Sequence, residues 1–234
     1  MTEEPQLQRA GRALADECAR YAGMGWMRGT SGNLSVRLDH DPLRLAVTAS
    51  GRDKGELTAA DVVVVDEAGR AVPDQPDPNQ RPSAEAALHA RIAARAGAGA
   101  VVHVHVLAPV LAAERWPDGV VLRDLEMLKG FGRAAHDDPV TVPVIDNSQD
   151  MAVLGAAFEA GFDPAAPALI VARHGLYVWG ADLREARHRA ECLEWLLEFA
   201  LGEGAALGGA HPASSAHPAS PAGPANSAGP ARST

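Results

Sequence analysis

Little in this chain points towards a membrane, a nucleic acid or an oxidising compartment. It holds two cysteines, Cys18 and Cys192, far apart and each inside an amphipathic helical pattern. They read as small buried hydrophobes of a reducing compartment, with a spatial pairing left open. No apolar run approaches the roughly 18 residues that a membrane-spanning helix needs. The opening Met1-Thr2-Glu3-Glu4-Pro5 is acidic and polar, unlike a secretory leader. Positive charge is scarce: 21 Lys+Arg stand against 30 Asp+Glu, and no basic cluster interleaves with aromatics. That excludes the electrostatic footprint of a nucleic-acid-binding face. No glycine-rich stretch fits a Walker or dinucleotide fingerprint, so neither ATP nor NAD is indicated. The expectation is a cytoplasmic protein with no membrane and no nucleic-acid partner.

What is present divides at about Gly202. From 202 to 234 the chain is Ala, Gly, Pro and Ser, with a near-repeat in His211-Pro212-Ala213-Ser214 and His217-Pro218-Ala219-Ser220. Such a segment lacks the apolar bulk to offset its ordering entropy, so a disordered tail is expected. Residues 1–201 suffice for one domain with a substantial core. Strand and helix patterns alternate through it. Helical periodicity links Leu7, Ala10, Leu14, Cys18 and Tyr21, and later Ala186, Ala190, Leu193, Leu197 and Ala200 in a helix over 183–201. Shorter helices are predicted from Ser83 towards Gly97, over 108–114 and over 151–160. Strands are predicted over 33–37, 43–48, 62–66, 101–106, 140–145 and 169–172, with 176–179 extending the last past His174-Gly175. Short turns between strands point to an α/β fold whose sheet contains antiparallel pairs covered by helices.

The most informative stretch is Val101-Val102-His103-Val104-His105-Val106. Side chains on a strand alternate faces, so His103 and His105 project together while Val102, Val104 and Val106 face a core on the other side. Imidazole suits zinc and its first-row neighbours, and a third ligand leaves one position open for water or substrate. His174, beside Gly175 at a strand end, is the foremost third candidate; His89, His136 and His188 are weaker ones. Two glutamates compete for acid–base work. Glu85 opens a helix, where a first-turn carboxylate also serves the helix dipole. Glu126 has apolar neighbours Leu125, Met127 and Leu128, and partial burial would raise its pKa; its bland alternative is a solvated carboxylate near Lys129. Two loops, Gly29-Thr30-Ser31-Gly32-Asn33 and Thr48-Ala49-Ser50-Gly51-Arg52, carry backbone N–H groups able to surround a phosphate, with Ser83 at a helix start.

In order along the chain, these blocks resemble the class II aldolase/adducin family from about residue 7 to 201. The likeness is carried by Thr30-Ser31-Gly32-Asn33-Leu34-Ser35, Ser50-Gly51-Arg52-Asp53-Lys54-Gly55 and Arg81-Pro82-Ser83-Ala84-Glu85. It continues in His103-Val104-His105, Glu126-Met127-Leu128-Lys129-Gly130 and His174-Gly175-Leu176-Tyr177-Val178-Trp179-Gly180. The second, fifth and last of these point to the family's dehydratase branch, hydro-lyases of methionine salvage. The resemblance implies an α/β/α sandwich around a mostly antiparallel central sheet. It implies one Zn2+ per subunit on His103, His105 and His174, and a phosphorylated ketose as substrate. The phosphate would meet Gly32, Asn33, Ser50, Gly51 and Ser83. Family members are usually homotetramers with sites at subunit contacts. The aldolases use the Glu85 position as ligand or base, whereas the dehydratase likeness favours Glu126, so both stand as catalytic candidates.

Two rivals follow from the same resemblance. A sugar-phosphate aldolase or 4-epimerase would use the same zinc-assisted enediolate chemistry. Such aldolases often employ a tyrosine near the C-terminus, and here the last tyrosine is Tyr177. An adducin-like interaction module would keep the fold without chemistry, but such a module is expected to lose ligand histidines, and all three are present.

Overall fold

The computed structural model describes residues 5–206. Helix α1 (Gln6–Gly23) leads into an antiparallel pair, β1 (Asn33–His40) and β2 (Leu43–Thr48), and then β3 (Val62–Val65). Next come α2 (Ala86–Ala96), β4 (Ala100–Val104) and α3 (Leu107–Arg115). A separate two-stranded sheet joins β5 (Val120–Leu122) to β6 (Val140–Val142), with a 3-10 turn at Glu126–Leu128 between them. The chain ends with β7 (Val144–Ile145), α4 (Met151–Gly161), the β8 (Ala168–Val171) and β9 (Gly175–Gly180) hairpin, and α5 (Leu183–Ala206).

The main sheet has the order β3-β2-β1-β4-β9-β8-β7. Every pairing is antiparallel except β7 with β8. Helices α1, α3 and α5 cover one face, and α2 and α4 the other, giving the expected α/β/α sandwich. The period of two sorts the core cleanly. Val102 and Val104 join the cluster with Leu34, Leu176 and Val178 under α1 and α5. Val101 joins Leu169, Tyr177 and Trp179 under α2 and α4. All five residues of β4 are buried, because it lies at the sheet centre with helices on both sides. His103 therefore sits inside a packed layer, on the α2 face.

Several boundaries differ from the sequence expectation. Strand β4 stops at Val104, so His105 lies just beyond it and Val106 begins the entry into α3. The run 140–145 splits into β6 and β7, in different sheets, because Pro143 has no N–H to continue a ladder. Ala172-Arg173-His174 is the turn of an antiparallel hairpin, and the strand from Gly175 pairs back on β8 instead of extending it. Helix α5 runs on to Ala206, past the expected boundary at 202; the rest of the proposed tail, with His211 and His217, lies outside the described residues. Strand β5 was not anticipated. Cys18 and Cys192 are both free thiols, Cys18 fully buried.

Candidate metal centre and cleft

Strand register builds the centre. Pairing of β4 with β9 sets His103 opposite Tyr177, and their rings stack with centroids 4.0 Å apart. The turn after β8 carries His174 back over the end of β4. Gly175 makes that approach feasible, since a Cβ there would fall 2.4 Å from the Val104 carbonyl oxygen and 3.2 Å from the His105 ring. The outcome is convergence. His105 Nε2 lies 3.0 Å from His103 Nε2, which lies 3.3 Å from His174 Nε2. Among the described residues, these three form the one cluster of His, Cys, Asp or Glu suited to a metal ion, with ligand atoms all within 4.8 Å of one another.

The donor set fits a divalent ion. Zinc–nitrogen bonds of about 2.0–2.1 Å in tetrahedral geometry separate neighbouring ligand atoms by about 3.3 Å. The rear nitrogens of two rings are also engaged. His103 Nδ1 lies 3.1 Å from the Leu176 carbonyl oxygen, which accepts its proton, and His174 Nδ1 lies 3.3 Å from Asn147 Oδ1. These contacts leave each Nε2 lone pair facing the centre. Burial pushes the His103 pKa down to about 3, outweighing the attraction of Glu85. Burial lowers His105 likewise. A neutral imidazole is the form that ligates.

Glu85 reaches the same point from above. It stands at the N-cap of α2, but its carboxylate makes no cap hydrogen bond and turns into the site instead. Its two oxygens lie 3.1 Å from His174 Nε2 and 3.4 Å from His103 Nε2. Asn33 Nδ2 donates to it at 2.6 Å and to Ser83 Oγ at 3.0 Å. Burial opposes its charge, but the neighbouring His103 and His174 imidazoles and the hydrogen bond from Asn33 prevail and hold its pKa well below the usual carboxylate range. Glu85 is thus an ionised carboxylate aimed at the three imidazoles.

Above the histidines opens a cleft of about 300 Å³. Its lining brings together all five residues expected to meet phosphate, Gly32, Asn33, Ser50, Gly51 and Ser83, with Glu85, His105 and His174. The loops are tied to one another. Ser50 N donates to the Arg81 carbonyl at 2.9 Å, joining the second loop to the segment before α2. Gly32 is bound to its identity: its φ is +76°, and a Cβ would fall 2.8 Å from the His103 carbonyl oxygen.

Sequence reasoning passed over three features. Lys54 is 2 % exposed, and its Nζ donates to the carbonyls of Thr30 at 3.0 Å and Arg52 at 2.9 Å, stitching the two glycine loops together. It is also the one cationic Lys or Arg side chain lining the cleft among the described residues. A lysine inside an Asp-Lys-Gly turn resembles any surface lysine, so only the repeated glycine loops around it offered a signal. The second feature is the segment Asn147-Ser148-Gln149, which supplies the His174 contact and part of the wall. The third is the place of Tyr177, stacked on His103, which its standing as the last tyrosine of the chain did not reveal.

The other expectations resolve differently. His136 and His188 are exposed, and His89 is fully buried beneath the centre and holds Ser35, so none joins the three ligands. The partial burial anticipated for Glu126 does not occur. Its side chain is 75 % exposed, pairs with Lys129 Nζ at 2.7 Å, and is absent from the cleft lining. That lysine lowers its pKa, the reverse of the expected rise. In a 3-10 turn, residues three apart share a side, so Leu125 and Leu128 pack inwards together while Glu126 points out.

An antiparallel sheet between helices, with three imidazoles meeting a carboxylate under glycine loops, defines a metal-site α/β fold with a counterpart among known families. The family model for the Class II Aldolase and Adducin N-terminal domain matches residues 12–201, and the chain belongs to that family. Relatives are more specific. The methylthioribulose-1-phosphate dehydratase of Serratia proteamaculans is 40% identical over 206 residues, covering 86% of this chain and 96% of its own. That of Persephonella marina is 34% identical over 198 residues, covering 84% and 91%. Among solved structures, YgbL from Klebsiella pneumoniae superposes with a TM-score of 0.70 at 25% identity, covering 86% of this chain and 92% of that one. The L-fuculose-1-phosphate aldolase of Thermus thermophilus shares the fold, with a TM-score of 0.65 at 23% identity, covering 87% and 97%.

Proposed function

We propose that this protein is a hydro-lyase that removes water from 5-methylthioribulose 1-phosphate, yielding 5-methylthio-2,3-dioxopentyl phosphate, in methionine salvage in the cytoplasm. The observation that carries this reading is the meeting of three imidazole Nε2 atoms with the Glu85 carboxylate beneath the glycine loops. The names of the dehydratase relatives supply the substrate.

His103, His105 and His174 hold one zinc ion per subunit, and when bound it supplies Lewis-acid stabilisation of negative charge developing on the substrate's carbonyl oxygen, worth several kcal/mol. The backbone groups of Gly32 and Gly51, with Asn33, Ser50 and Ser83, hold the phosphate, and Lys54 contributes positive charge below it. This fixes the sugar carbons against Glu85, a contribution of positioning. Glu85, ionised and held by Asn33, takes the C3 proton. The C4 hydroxyl then leaves with a proton as water, and the enol ketonises. Departure of hydroxide calls for an acid, and the resemblance assigns acid–base work to Glu126. Exposed in the single chain, Glu126 serves only if a second copy brings it across the cleft, so the reading includes a homo-oligomer, a tetramer by family resemblance.

The deciding experiment incubates the zinc-loaded protein with a panel of phosphorylated ketoses and identifies products. A diketone phosphate supports the reading. Release of an aldehyde with dihydroxyacetone phosphate would assign an aldolase instead, and no turnover of any sugar phosphate would leave the fold without this chemistry.

A further inference from the structure

The cleft has two flanks, and the order of the main sheet sets them apart. Gly32-Asn33 leads into β1 and Ser50-Gly51 follows β2, both on one side of β4. Strand β7 lies on the other side, beyond β9 and β8. It runs parallel to β8, with Ile145 opposite Val171, so the chain leaves both strands at the same edge of the sheet. The turn after β8 carries His174 into the centre. The segment after β7 runs beside it, where Asn147 Oδ1 lies 3.3 Å from His174 Nδ1. From there the chain turns into α4. Asp150 N donates to Ser148 Oγ at 3.1 Å, and the Asp150 carboxylate accepts from Ala152 N at 2.8 Å as the cap of that helix. Met151, the first residue of α4, is held between these bonds. It is half-buried, packing on the core cluster of Leu88 and Phe158 while also lining the cleft. Among the described residues, it is the one apolar side chain larger than alanine in that lining.

We infer that Met151 is a specificity-determining residue, which receives the methylthio group of the substrate and selects it over a hydrogen or hydroxyl at the same carbon. This assignment rests on the dehydratase reading above. That substrate carries phosphate on C1 and a carbonyl at C2. It loses a proton from C3 and a hydroxyl from C4, and it bears sulfur on C5. The chemistry therefore takes place in the middle of the molecule, and its two ends lie on opposite sides of the histidines. With the phosphate in the glycine loops, the C5 end is directed to the β7 flank, where Met151 stands. The match is chemical as well as spatial. A methylthio group forms no strong hydrogen bond and gains by leaving water for apolar, polarizable surface. The rest of the lining is hydroxyl, amide, charged and imidazole groups with glycine and alanine, and offers it no comparable contact. A C5 hydroxyl in that place would meet a thioether that has no donor and accepts only weakly. The unbranched Met151 side chain adapts to the ligand, while the Asp150 cap fixes its backbone.

The test measures kcat/KM of the zinc-loaded, full-length protein for 5-methylthioribulose 1-phosphate and for 5-deoxyribulose 1-phosphate, which lacks only the methylthio group. The parent should prefer the first by about 10- to 100-fold, within the range that one apolar group commands in a pocket. Met151→Ser should lower kcat/KM for the methylthio substrate by about 10-fold or more and leave the deoxy substrate within about twofold, so the preference collapses. Met151→Leu, which keeps the apolar volume, should retain most of it. Zinc content and Tm, followed in each variant, separate lost recognition from a damaged fold. If Met151→Ser loses Tm, Met151→Gln, of similar length and polar end, is read in its place with the same outcomes. An equal loss on both substrates, or an unchanged preference, overturns the inference and leaves the dehydratase reading standing. So does a parent that turns over both substrates alike. A parent inactive on the methylthio substrate fails the dehydratase reading itself, and the assignment of Met151 falls with it.

Discussion

The two ends of β9 offer a controlled contrast. At Gly175 the strand meets the three histidines and a cleft of about 300 Å³. About 17 Å away along the strand, Gly180 and Trp179 help line a larger hollow of about 400 Å³, with Arg133, Arg189 and Glu185. By size alone the second would be chosen. Its charges, however, are spent on the fold. Arg189 donates to the Trp179 carbonyl at 2.9 Å and pairs with Glu185 at 2.7 Å. Arg133 donates to Ala165 O at 3.0 Å and to Asp138 at 2.7 Å. At the other end, imidazole nitrogens converge on one point and a carboxylate is held against them. Both ends keep a buried polar atom without a partner among the described residues, Arg133 Nε at the larger hollow being one, so convergence of ligating groups, rather than volume, distinguishes the candidate site.

Substitutions at each end can break or sharpen that contrast. The largest effect is expected from His103→Ala, which removes the central ligand: stoichiometric zinc is lost in metal analysis and turnover falls to background. A zinc-free variant that still turned over would dissolve the distinction between the ends. Next comes Glu85→Gln, expected to lower kcat by about 10²–10⁴-fold with the fold unchanged; steady-state kinetics and circular dichroism check both halves. Glu126→Gln, run beside it, separates the two carboxylates. If Glu126 keeps full activity when amidated, the C4 hydroxyl leaves without it; a loss confined to the oligomer, followed by light scattering, supports donation from a second copy.

Smaller effects are structural. Gly175→Ala forces a Cβ to within 2.4 Å of the Val104 carbonyl oxygen, so β9 must shift. A stability loss of about 1–3 kcal/mol, typical of overpacking, should accompany weaker zinc binding, measured by denaturant melts and zinc titration. Arg189→Ala at the far end should cost about 1–2 kcal/mol through its lost hydrogen bonds and leave kcat and KM at parent values. An activity loss there, with zinc retained, would mean the larger hollow also serves the reaction.

Much of the working end was legible in the chain because it depends on local rules. Alternation put His103 on one face, and glycine next to His174 announced a close approach. The glycine loops and Ser83 read in the chain as candidates for anion binding, and the fold brings them into one cleft. What escaped depended on partners distant in sequence. Tyr177 looks like any strand aromatic until the register sets it opposite His103. Lys54 looks solvated until its ammonium is seen between two loops. The burial expected of Glu126 fails for a local reason: its apolar neighbours suggested it, but a turn of three residues sends their side chains inwards and its own outwards. The short strand β5 carries three residues, too few for a period to declare itself.

His103 and His174 are 71 residues apart in sequence, and they meet only after β9 has zipped onto β4. Closing so long a loop comes late relative to local helices and tight hairpins. The centre is therefore an end-point gauge of assembly. A chain with only its first four strands in place offers His103 and His105 and has no third ligand to give. A metal ion bound at this centre would be captured tightly only on completion of the sheet, and would then clasp the middle of the chain to its last hairpin.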